Sequence, residues 1–252
     1  MLWLRTLNRQ LNRFFLHPMG MELRRWNIEY SMGIKLPQDL RMVVGTETPV
    51  IFDVGGNIGQ SGWSRELPGM RFGEIWQSPT IISFEPDPIS AEALERSGPG
   101  RPHHLVVRSA LTDSEGFVTL YRYHQSDLNS IYQRRSNSFF GEPPIDQTEV
   151  PCTTIDNYCQ EHGIRRIDLL KIDVEGAETL VIAGGTKTLQ SEVVLNVLIE
   201  VTFGDLFQQR PKPLELFGMM EEFGYYLTGV YHQHVRGNRL NWADVLWTRN
   251  PV

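Results

Sequence analysis

A run of small residues led by one acid follows the first strongly apolar segment of the chain and can bind a ligand through its backbone. The run DVGGNIG comprises Asp53, Val54, Gly55, Gly56, Asn57, Ile58 and Gly59. A sharp turn from a strand into a helix needs residues that tolerate positive φ, and Gly and Asn meet that need. The pattern therefore predicts a ligand-binding turn, and a tight turn that binds nothing is the alternative.

The acid at the head of this turn indicates which ligand fits. A dinucleotide-binding turn requires glycine at the position of Asn57. Asp53 would repel a pyrophosphate, whereas it suits a ligand that carries an ammonium group. S-adenosylmethionine carries an ammonium and a sulfonium and has no phosphate, so the turn favours this compound as the cofactor.

A second acid, Glu85, follows the apolar run Thr80–Phe84 and precedes Pro86. An acid at the end of the strand after a glycine turn can accept hydrogen bonds from both hydroxyls of a ribose. Its distance from the turn along the chain is longer than usual, which predicts an inserted loop over residues 68–79. We predict that Glu85 and Pro86 lie at the cofactor.

The segment KIDVEG places three charged side chains at alternate positions, namely Lys171, Asp173 and Glu175. Alternate residues of a strand point to one side, and the upstream part, Ile167–Leu170, is predicted to be buried on both faces. Because burial of unpaired charge is costly, we expect these residues at the carboxyl end of the strand, where open α/β sheets bind ligands. Glu200 is predicted to project into the same crevice. The alternative is an ion pair of Lys171 with either acid that has only a structural role.

Other polar groups form weaker patterns. Asp127, Asn129 and Ser130 lie in a polar, Ser/Asn-rich segment between two predicted strands, which is typical of a solvated loop. The histidines at 103–104 and the pair His232 and His234 are interpreted as surface residues. The two acids of KIDVEG are spaced for a magnesium ion with bound waters, but the spacing shows no third ligand. No metal site is predicted.

From Pro49 onward, short β-branched runs alternate with helical stretches, which predicts an α/β domain with a mainly parallel sheet. The core strands are predicted at Val50–Val54, Thr80–Phe84, His104–Ser109, Ile167–Val174 and Val193–Val201. Two more are predicted at Phe117–Tyr123 and Thr148–Thr153, and a terminal antiparallel hairpin at Tyr225–His232 and Ala243–Thr248. The helices are predicted at Ile89–Arg96, Ile155–His162, Glu178–Ala183 and Leu214–Phe223.

Residues 1–48 are predicted to form a helical N-terminal extension before the α/β domain over residues 49–252. The apolar stripe of its first helix is Leu4, Leu7, Leu11 and Phe14 or Phe15, and its basic stripe is Arg5, Arg9 and Arg13. This helix can dock on its own domain or on a partner subunit, which would make residues 1–16 a homodimer contact. A helix that lies on a membrane surface is the alternative.

Composition narrows the class of protein further. The chain has 252 residues and a formal charge of −6, which makes nucleic acid a poor partner. Cys152 and Cys159 are the only cysteines, and two reduced thiols are typical of a cytoplasmic protein. No apolar run reaches the roughly 18–20 residues that a membrane span requires. We therefore expect a cytoplasmic protein, with peripheral membrane contact only through the N-terminal helix.

Seven motifs occur in the order found in FkbM-type methyltransferases. They are DVGGNIGQS (Asp53–Ser61), FEPDP (Phe84–Pro88), SALTDSEG (Ser109–Gly116), TTIDNY (Thr153–Tyr158), KIDVEGAE (Lys171–Glu178), EEFGY (Glu221–Tyr225) and ADVLWTR (Ala243–Arg249). The chain resembles this family over roughly residues 49–249. The resemblance implies a Rossmann-like class I methyltransferase fold with a seven-stranded sheet and S-adenosylmethionine as the methyl donor. It also implies transfer to a hydroxyl oxygen, often on a sugar, glycolipid or polyketide.

The resemblance assigns roles by position. The residues that match the donor-binding turn are Asp53, Gly55, Asn57 and Gly59. Gly56 stands where many members have alanine, and Glu85 matches the ribose-binding acid. Asp173 and Glu175 match the acids of the fourth strand, next to donor and acceptor. Ala110 matches a small residue whose backbone can meet the edge of the adenine.

These assignments lead to a hypothesis for the chemistry. Asp173 or Glu175 takes the proton from an acceptor hydroxyl as it attacks the methyl group, while Lys171 holds the carboxylates and Glu200 orients the acceptor. A nicotinamide-dependent Rossmann enzyme is one alternative, which Asn57 disfavours and measured nicotinamide binding would support. A non-catalytic S-adenosylmethionine-binding protein is another, which the intact KIDVEG charges disfavour and donor binding without transfer would support.

Overall fold

The computed structural model describes residues 36–57, 72–97, 103–138, 141–209, 213–236 and 238–249. The predicted N-terminal helix and the turn residue Gly59 lie outside these ranges. The division into an extension over 1–48 and a domain over 49–252 therefore stays a prediction. Within the described ranges, no helix combines the length and the apolar composition that a membrane crossing requires.

Strands and helices alternate along the described residues, as the β-branched runs and helical stretches predict. In chain order the strands are β1 (Val50–Val54), β2 (Thr80–Phe84), β3 (His104–Val107), β4 (Ala110–Leu111), β5 (Gly116–Arg122), β6 (Asp146–Thr153), β7 (Leu169–Ile172), β8 (Asn196–Thr202), β9 (Tyr226–Arg236) and β10 (Arg239–Thr248). The helices are α1 (Leu36–Val44), α2 (Phe72–Ile75), α3 (Pro88–Ser97), α4 (Ile155–His162), α5 (Glu178–Ala183), α6 (Thr186–Gln190) and α7 (Pro213–Glu222). A single turn of 3-10 helix lies at Ser126–Leu128.

Seven of the strands form one sheet in the order β3-β2-β1-β7-β8-β10-β9. The pairs from β3 through β8 are parallel, and β10 is antiparallel to both β8 and β9. This arrangement confirms the predicted mostly parallel sheet with a C-terminal antiparallel hairpin. The strands β4, β6 and β5 form a separate three-stranded sheet. The sequence predicts β5 and β6 but gives no sign that they leave the main sheet.

Some of the predicted strand and helix bounds are confirmed, and others change. The bounds of β1, β2 and α4 are confirmed, because apolar runs and caps define them sharply. The predicted strand Ile167–Val174 is shorter and stops at Ile172, because the next residues leave the sheet in a turn. The predicted strand Val193–Val201 begins only at Asn196, although Val194 still forms an isolated bridge. A short helix, α6, follows directly after the predicted stop at Gly184-Gly185.

The two faces of the main sheet differ in polarity. One face joins the hydrophobic core through Phe52, Phe84, Ile172 and Ile199. The residues between them in the strands face the other way and include Asp53, Ser83, Lys171 and Glu200. Asp53 of β1 lies in register with Ser83 of β2 and with Lys171 of β7. The neighbouring strands β2, β1 and β7 therefore bring Ser83, Asp53 and Lys171 together.

Candidate active site

The predicted ligand-binding turn lies at the carboxyl end of β1. Gly55 has φ +81° and Asn57 has φ +46°, and both are left-handed conformations. The Gly55 amide donates to the carbonyl oxygen of Phe84 at 3.0 Å, which anchors the turn on β2. A Cβ atom on Gly55 would overlap the carbonyl oxygen of Asp173. Glycine is therefore required where the turn meets the loop after β7.

The neighbours of Gly55 are fixed by other contacts. A Cβ atom on Gly56 would lie 2.9 Å from Cδ2 of Leu94 and 3.2 Å from Cβ of Ser83. The missing side chain therefore lets Leu94 of α3 pack closely against the turn. The side-chain oxygen Oδ1 of Asn57 accepts a hydrogen bond from Oγ of Ser126 at 2.9 Å. Asn57 therefore links the turn to the segment that follows β5.

Glu85 lies at the end of β2, beside this turn, as the sequence predicts. Its oxygen Oε2 accepts a hydrogen bond from the Asn57 amide at 2.7 Å, and Oε1 accepts one from the Asp87 amide at 2.8 Å. Burial raises the pKa of Glu85 to about 7, although both amide hydrogen bonds lower it. Each carboxylate oxygen has a second lone pair, so Glu85 can still accept from a ligand hydroxyl.

The residues around Glu85 have mainly structural contacts. Pro86 connects β2 to α3, and Asp87 begins that helix by accepting from the amide and hydroxyl of Ser90 at 3.3 and 2.9 Å. Ala110 opens β4 and pairs with Cys152 in the small sheet. The roles of Pro86 at the cofactor and of Ala110 at an adenine edge stay predictions.

Asp53 is completely buried below the turn. Its Oδ1 lies 3.4 Å from Nζ of Lys171, and its Oδ2 accepts from Oγ of Ser83 at 3.3 Å. Burial raises the pKa of Asp53, and the charge of Lys171 opposes this shift. The structure thus pairs Asp53 with a protein cation, and its predicted contact with the ammonium group of a ligand remains untested.

Lys171 contacts two acids at the carboxyl end of the central strand β7. Its Nζ lies 3.2 Å from Oδ2 of Asp173, in addition to its contact with Asp53. Burial alone would lower the pKa of Lys171, but the charges of Asp173 and Asp53 outweigh it and raise the pKa. The lysine is therefore held as a cation between these carboxylates. This ion pair is also what the structural alternative predicts, so the contact alone does not decide between the two roles.

Glu175 reaches the cluster in a different way from the one predicted. It does not lie on the strand but in the turn after β7, with φ +56°, so the alternation of side chains does not apply to it. Its Oε2 lies 2.5 Å from Nη2 of Arg134, and its carbonyl oxygen accepts from Oγ of Ser130 at 2.7 Å. Burial raises the pKa of Glu175 to about 8, against the lowering effect of Arg134.

Glu200 completes the acid cluster from β8. The carboxylate oxygens of Asp173, Glu175 and Glu200 lie within 4.8 Å of one another, so the structure brings these three acids together. Burial raises the pKa of Glu200 well above its usual value, and Asp173 and Glu175 add to the shift. Glu200 is also the third carboxylate that the spacing of KIDVEG does not reveal. Three such oxygens can coordinate a divalent cation, but an acid cluster by itself assigns no metal.

The terminal hairpin adds a pair that the sequence interpretation misses. Asp244 of β10 lies opposite Glu200 in the sheet, and its Oδ2 is 2.5 Å from Nδ1 of His232. His232 sits at an irregularity between β9 and β10 with φ +42°, and only 19% of its side chain is exposed. The interpretation of His232 as a surface residue is therefore wrong. His234 stacks on Trp242 with ring centroids 3.8 Å apart.

Ser130 and Arg134 also lie at the site, although their segment is typical of a solvated loop. Both side chains are almost completely buried, and both contact Glu175. No short motif marks them, because they are brought to the site by tertiary contacts. The one available signal is an arginine within a polar segment that separates two predicted strands.

The charges around the turn fit a cationic, phosphate-free ligand. Asp53, Glu85 and Asp173 outnumber Lys171 there, so a pyrophosphate would meet net repulsion. A sulfonium and an ammonium would instead meet favourable charge, and Glu85 can accept from ribose hydroxyls. The strand order and the antiparallel C-terminal hairpin, with this turn after β1, define a class I methyltransferase fold.

The comparison with known families agrees with the fold. The Methyltransferase FkbM domain matches residues 53–227, a range that includes the turn, Glu85 and the acid cluster. The chain belongs to the FkbM methyltransferase family. It is accordingly an S-adenosylmethionine-dependent methyltransferase, and this membership excludes the nicotinamide alternative.

Individual relatives are distant. The chain is 26% identical over 200 residues to 2-O-methyltransferase NoeI of Sinorhizobium fredii, a match that covers 71% of this chain and 78% of NoeI. It is 26% identical to Methyltransferase sdnD of Sordaria araneosa, over 60% of this chain and 66% of sdnD. A crystal structure of a Methyltransferase FkbM from Methylobacillus flagellatus superposes with a TM-score of 0.49 at 14% identity, over 80% of this chain. The present chain spans 44% of that protein.

Proposed function

We propose that the protein transfers a methyl group to a hydroxyl oxygen of a sugar, glycolipid or polyketide-type natural product. The observation that carries the proposal is the contact between the donor turn and the acid cluster, since Gly55 packs directly on the Asp173 backbone. A hydroxyl has to lose its proton as its oxygen attacks carbon, and a carboxylate within reach can accept that proton. The contact therefore supports the acids beside the turn as the groups that take this proton.

Each residue then has a distinct role. Bound S-adenosylmethionine supplies a methyl group that its sulfonium has already activated. The turn at Gly55 and the acid Glu85 hold the donor, and alignment of this kind can lower a barrier by about 7–11 kcal/mol. We assign Glu175 as the base, because its carboxylate lies in the acid cluster beside the turn and burial raises its pKa above the usual range, which makes it a stronger base than an exposed carboxylate. Lys171 fixes Asp173, and Glu200 orients the acceptor hydroxyl.

One of the two relatives supports oxygen as the acceptor atom. NoeI is a 2-O-methyltransferase, and its match covers 78% of its own length. At 26% identity this likeness favours the reaction type without fixing the acceptor. The acceptor is proposed to be a small molecule or a glycan, because the acidic chain disfavours nucleic acid.

The proposal includes a cytoplasmic location. Cys152 and Cys159 are both free thiols in the structure and both are buried. Two unpaired cysteines fit a reducing compartment. The predicted contact of residues 1–16 with a membrane or with a second subunit falls outside the described residues, and it stays part of the proposal.

The direct test is an assay with methyl-labelled S-adenosylmethionine. The acceptors are methyl glycosides of common hexoses, glycolipids and hydroxylated polyketides, each analysed for a new methyl ether. We expect label on a hydroxyl oxygen of at least one class. Binding of the donor without transfer to any of them would contradict the proposal and favour a non-catalytic binding protein.

Donor binding is expected to weaken as the pH falls through 7. Glu85 accepts from the ribose hydroxyls best as a carboxylate, and its pKa is about 7. Protonation therefore competes with binding, and the Kd of S-adenosylhomocysteine should rise up to about tenfold per pH unit below 7. Calorimetric titrations between pH 8 and 6 measure this.

The variant Glu85→Gln isolates this effect from other titrating groups. This variant should bind S-adenosylhomocysteine weakly at every pH, and its Kd should no longer rise as the pH falls through 7. Glu92→Gln, which replaces an exposed acid on α3, is the matched control and should follow the wild type. If the wild type and Glu85→Gln show the same pH dependence, Glu85 does not contact the donor.

A further inference from the structure

Arg134 is a buried arginine that the established motifs of the chain do not include. Only 2% of the residue is exposed. Its segment is fixed to the chain after β8, because Arg134 forms an antiparallel bridge with Phe207. The amide of Arg135 donates to the carbonyl of Leu206 at 2.8 Å, and the amide of Gln208 donates to that of Gln133 at 2.8 Å. The backbone position of Arg134 is therefore set independently of its side chain.

The guanidinium of Arg134 is held on several sides and directed at Glu175. It lies over the ring of Phe207 at 4.9 Å and over the ring of Tyr123 at 5.8 Å. Its Nε donates to the carbonyl of Leu128 at 3.3 Å, and its Nη2 contacts Oε2 of Glu175 at 2.5 Å. A planar guanidinium can lie against an aromatic ring while its N–H groups donate in its own plane, a geometry that a tetrahedral ammonium does not offer.

The same region also shapes the backbone of Glu175. Ser130, four residues before Arg134, donates to the carbonyl oxygen of Glu175. The next residue, Gly176, has φ +103°, and a Cβ atom there would lie 2.7 Å from the Phe207 ring. The aromatic ring that stacks on Arg134 thus fills the space that this glycine leaves open. Side chain and backbone of Glu175 are both held from the Arg134 side.

We propose that Arg134 is a positioning residue for methyl transfer, which acts by fixing the Glu175 carboxylate on the acceptor side of the donor turn. This inference rests on the function proposed above. Four other acids, Asp127, Asp173, Glu178 and Glu200, act electrostatically on Glu175. Without a cation at its own oxygen, the Glu175 carboxylate would be repelled from this group. Arg134 supplies that cation and its direction.

The test compares R134Q, E175Q and the double variant with the wild type. Initial rates are measured with labelled S-adenosylmethionine and a mixture of methyl glycosides of glucose, galactose, mannose and rhamnose. We expect R134Q to lower kcat about a hundredfold, as misplacement of a reacting group does, with acceptor KM and S-adenosylhomocysteine affinity within about twofold. In the E175Q background, R134Q should cause little further loss, because both changes remove the same interaction.

The matched control is R166Q. The side chain of Arg166 is 61% exposed and pairs with Asp168 at 2.7 Å before β7 begins, whereas the acid cluster follows that strand. It should retain the wild-type kcat. If R134Q does not fold, the same cycle with R134K decides the question by the same criterion, since lysine keeps the charge but not the planar geometry.

Crystal structures with S-adenosylhomocysteine provide a readout that needs no acceptor. In R134Q or R134K, the Glu175 carboxylate should leave its wild-type position. An unchanged Glu175, or losses in the two single variants that multiply in the double variant, would overturn the role of Arg134. Failure of the wild type to transfer methyl to any acceptor would instead refute the proposed function, so the two failures are distinguishable.

Discussion

Replacement of Gly55 with alanine is expected to abolish binding of S-adenosylhomocysteine and to lower the melting temperature. Left-handed backbone costs an alanine about 1–2 kcal/mol, and the new Cβ would overlap the Asp173 carbonyl oxygen. The turn and the loop after β7 would have to separate, so the donor would lose its backbone contacts. We expect a decrease in Tm of about 4 °C or more, measured by calorimetry.

Gly218 provides the matched control for this change. It is exposed in α7, and a Cβ atom there would meet no atom within 4 Å. Gly218→Ala should stabilise the helix by about 0.5–1 kcal/mol and leave donor binding unchanged. Wild-type affinity of Gly55→Ala for S-adenosylhomocysteine would show that the turn does not hold the donor.

Removal of the negative charge from the acid cluster is expected to have the largest effect on turnover. A general base contributes about 10²–10⁴-fold to such a step. Glu175→Gln should lose rate in this range, because the amide cannot accept the proton. Asp173→Asn should lose less, because it disturbs the position of Lys171 rather than the base. Both variants should bind S-adenosylhomocysteine, and single-turnover methyl transfer measures the losses.

Glu161→Gln is the control for these amides, since Glu161 is an exposed acid at the end of α4. It should have the wild-type rate. If Glu175→Gln and Asp173→Asn both retain wild-type turnover on the acceptor, neither acid takes the proton. A larger loss of turnover in Asp173→Asn than in Glu175→Gln would instead identify Asp173 as the base.

Much of the fold can be predicted from the sequence, because local features such as apolar runs, turn residues and helix caps define its elements. The strands β1 and β2 are short apolar runs that end at turn residues, so their bounds follow from the pattern. The helix α4 is equally clear, because Thr154 caps its start and Gly163 ends it with φ +62°. The small sheet is different. Nothing local in β5 and β6 distinguishes a strand of the main sheet from one beside it.

The site divides in a similar way. Gly55, Asn57 and Glu85 are recognisable because their types and their places after strands reflect local backbone requirements. The contacts of Arg134 with Glu175 and of Asp244 with His232 join residues that are distant in sequence or lie across a strand irregularity. No short pattern records such contacts. Glu175 shows most clearly what a sequence pattern misses. The alternation of side chains along a strand predicts it as a site residue, but its backbone is left-handed and lies outside the strand.

The central claim is that the turn after β1 binds S-adenosylmethionine, and calorimetric titration of the wild-type protein with S-adenosylhomocysteine tests it most directly. This compound retains the ribose and the ammonium group that Glu85 and the neighbouring acids recognise, and it needs no acceptor. We predict saturable binding at a single site per chain, which Gly55→Ala abolishes and Gly218→Ala does not. No binding by the folded wild-type protein, or equal binding by Gly55→Ala, would contradict the account.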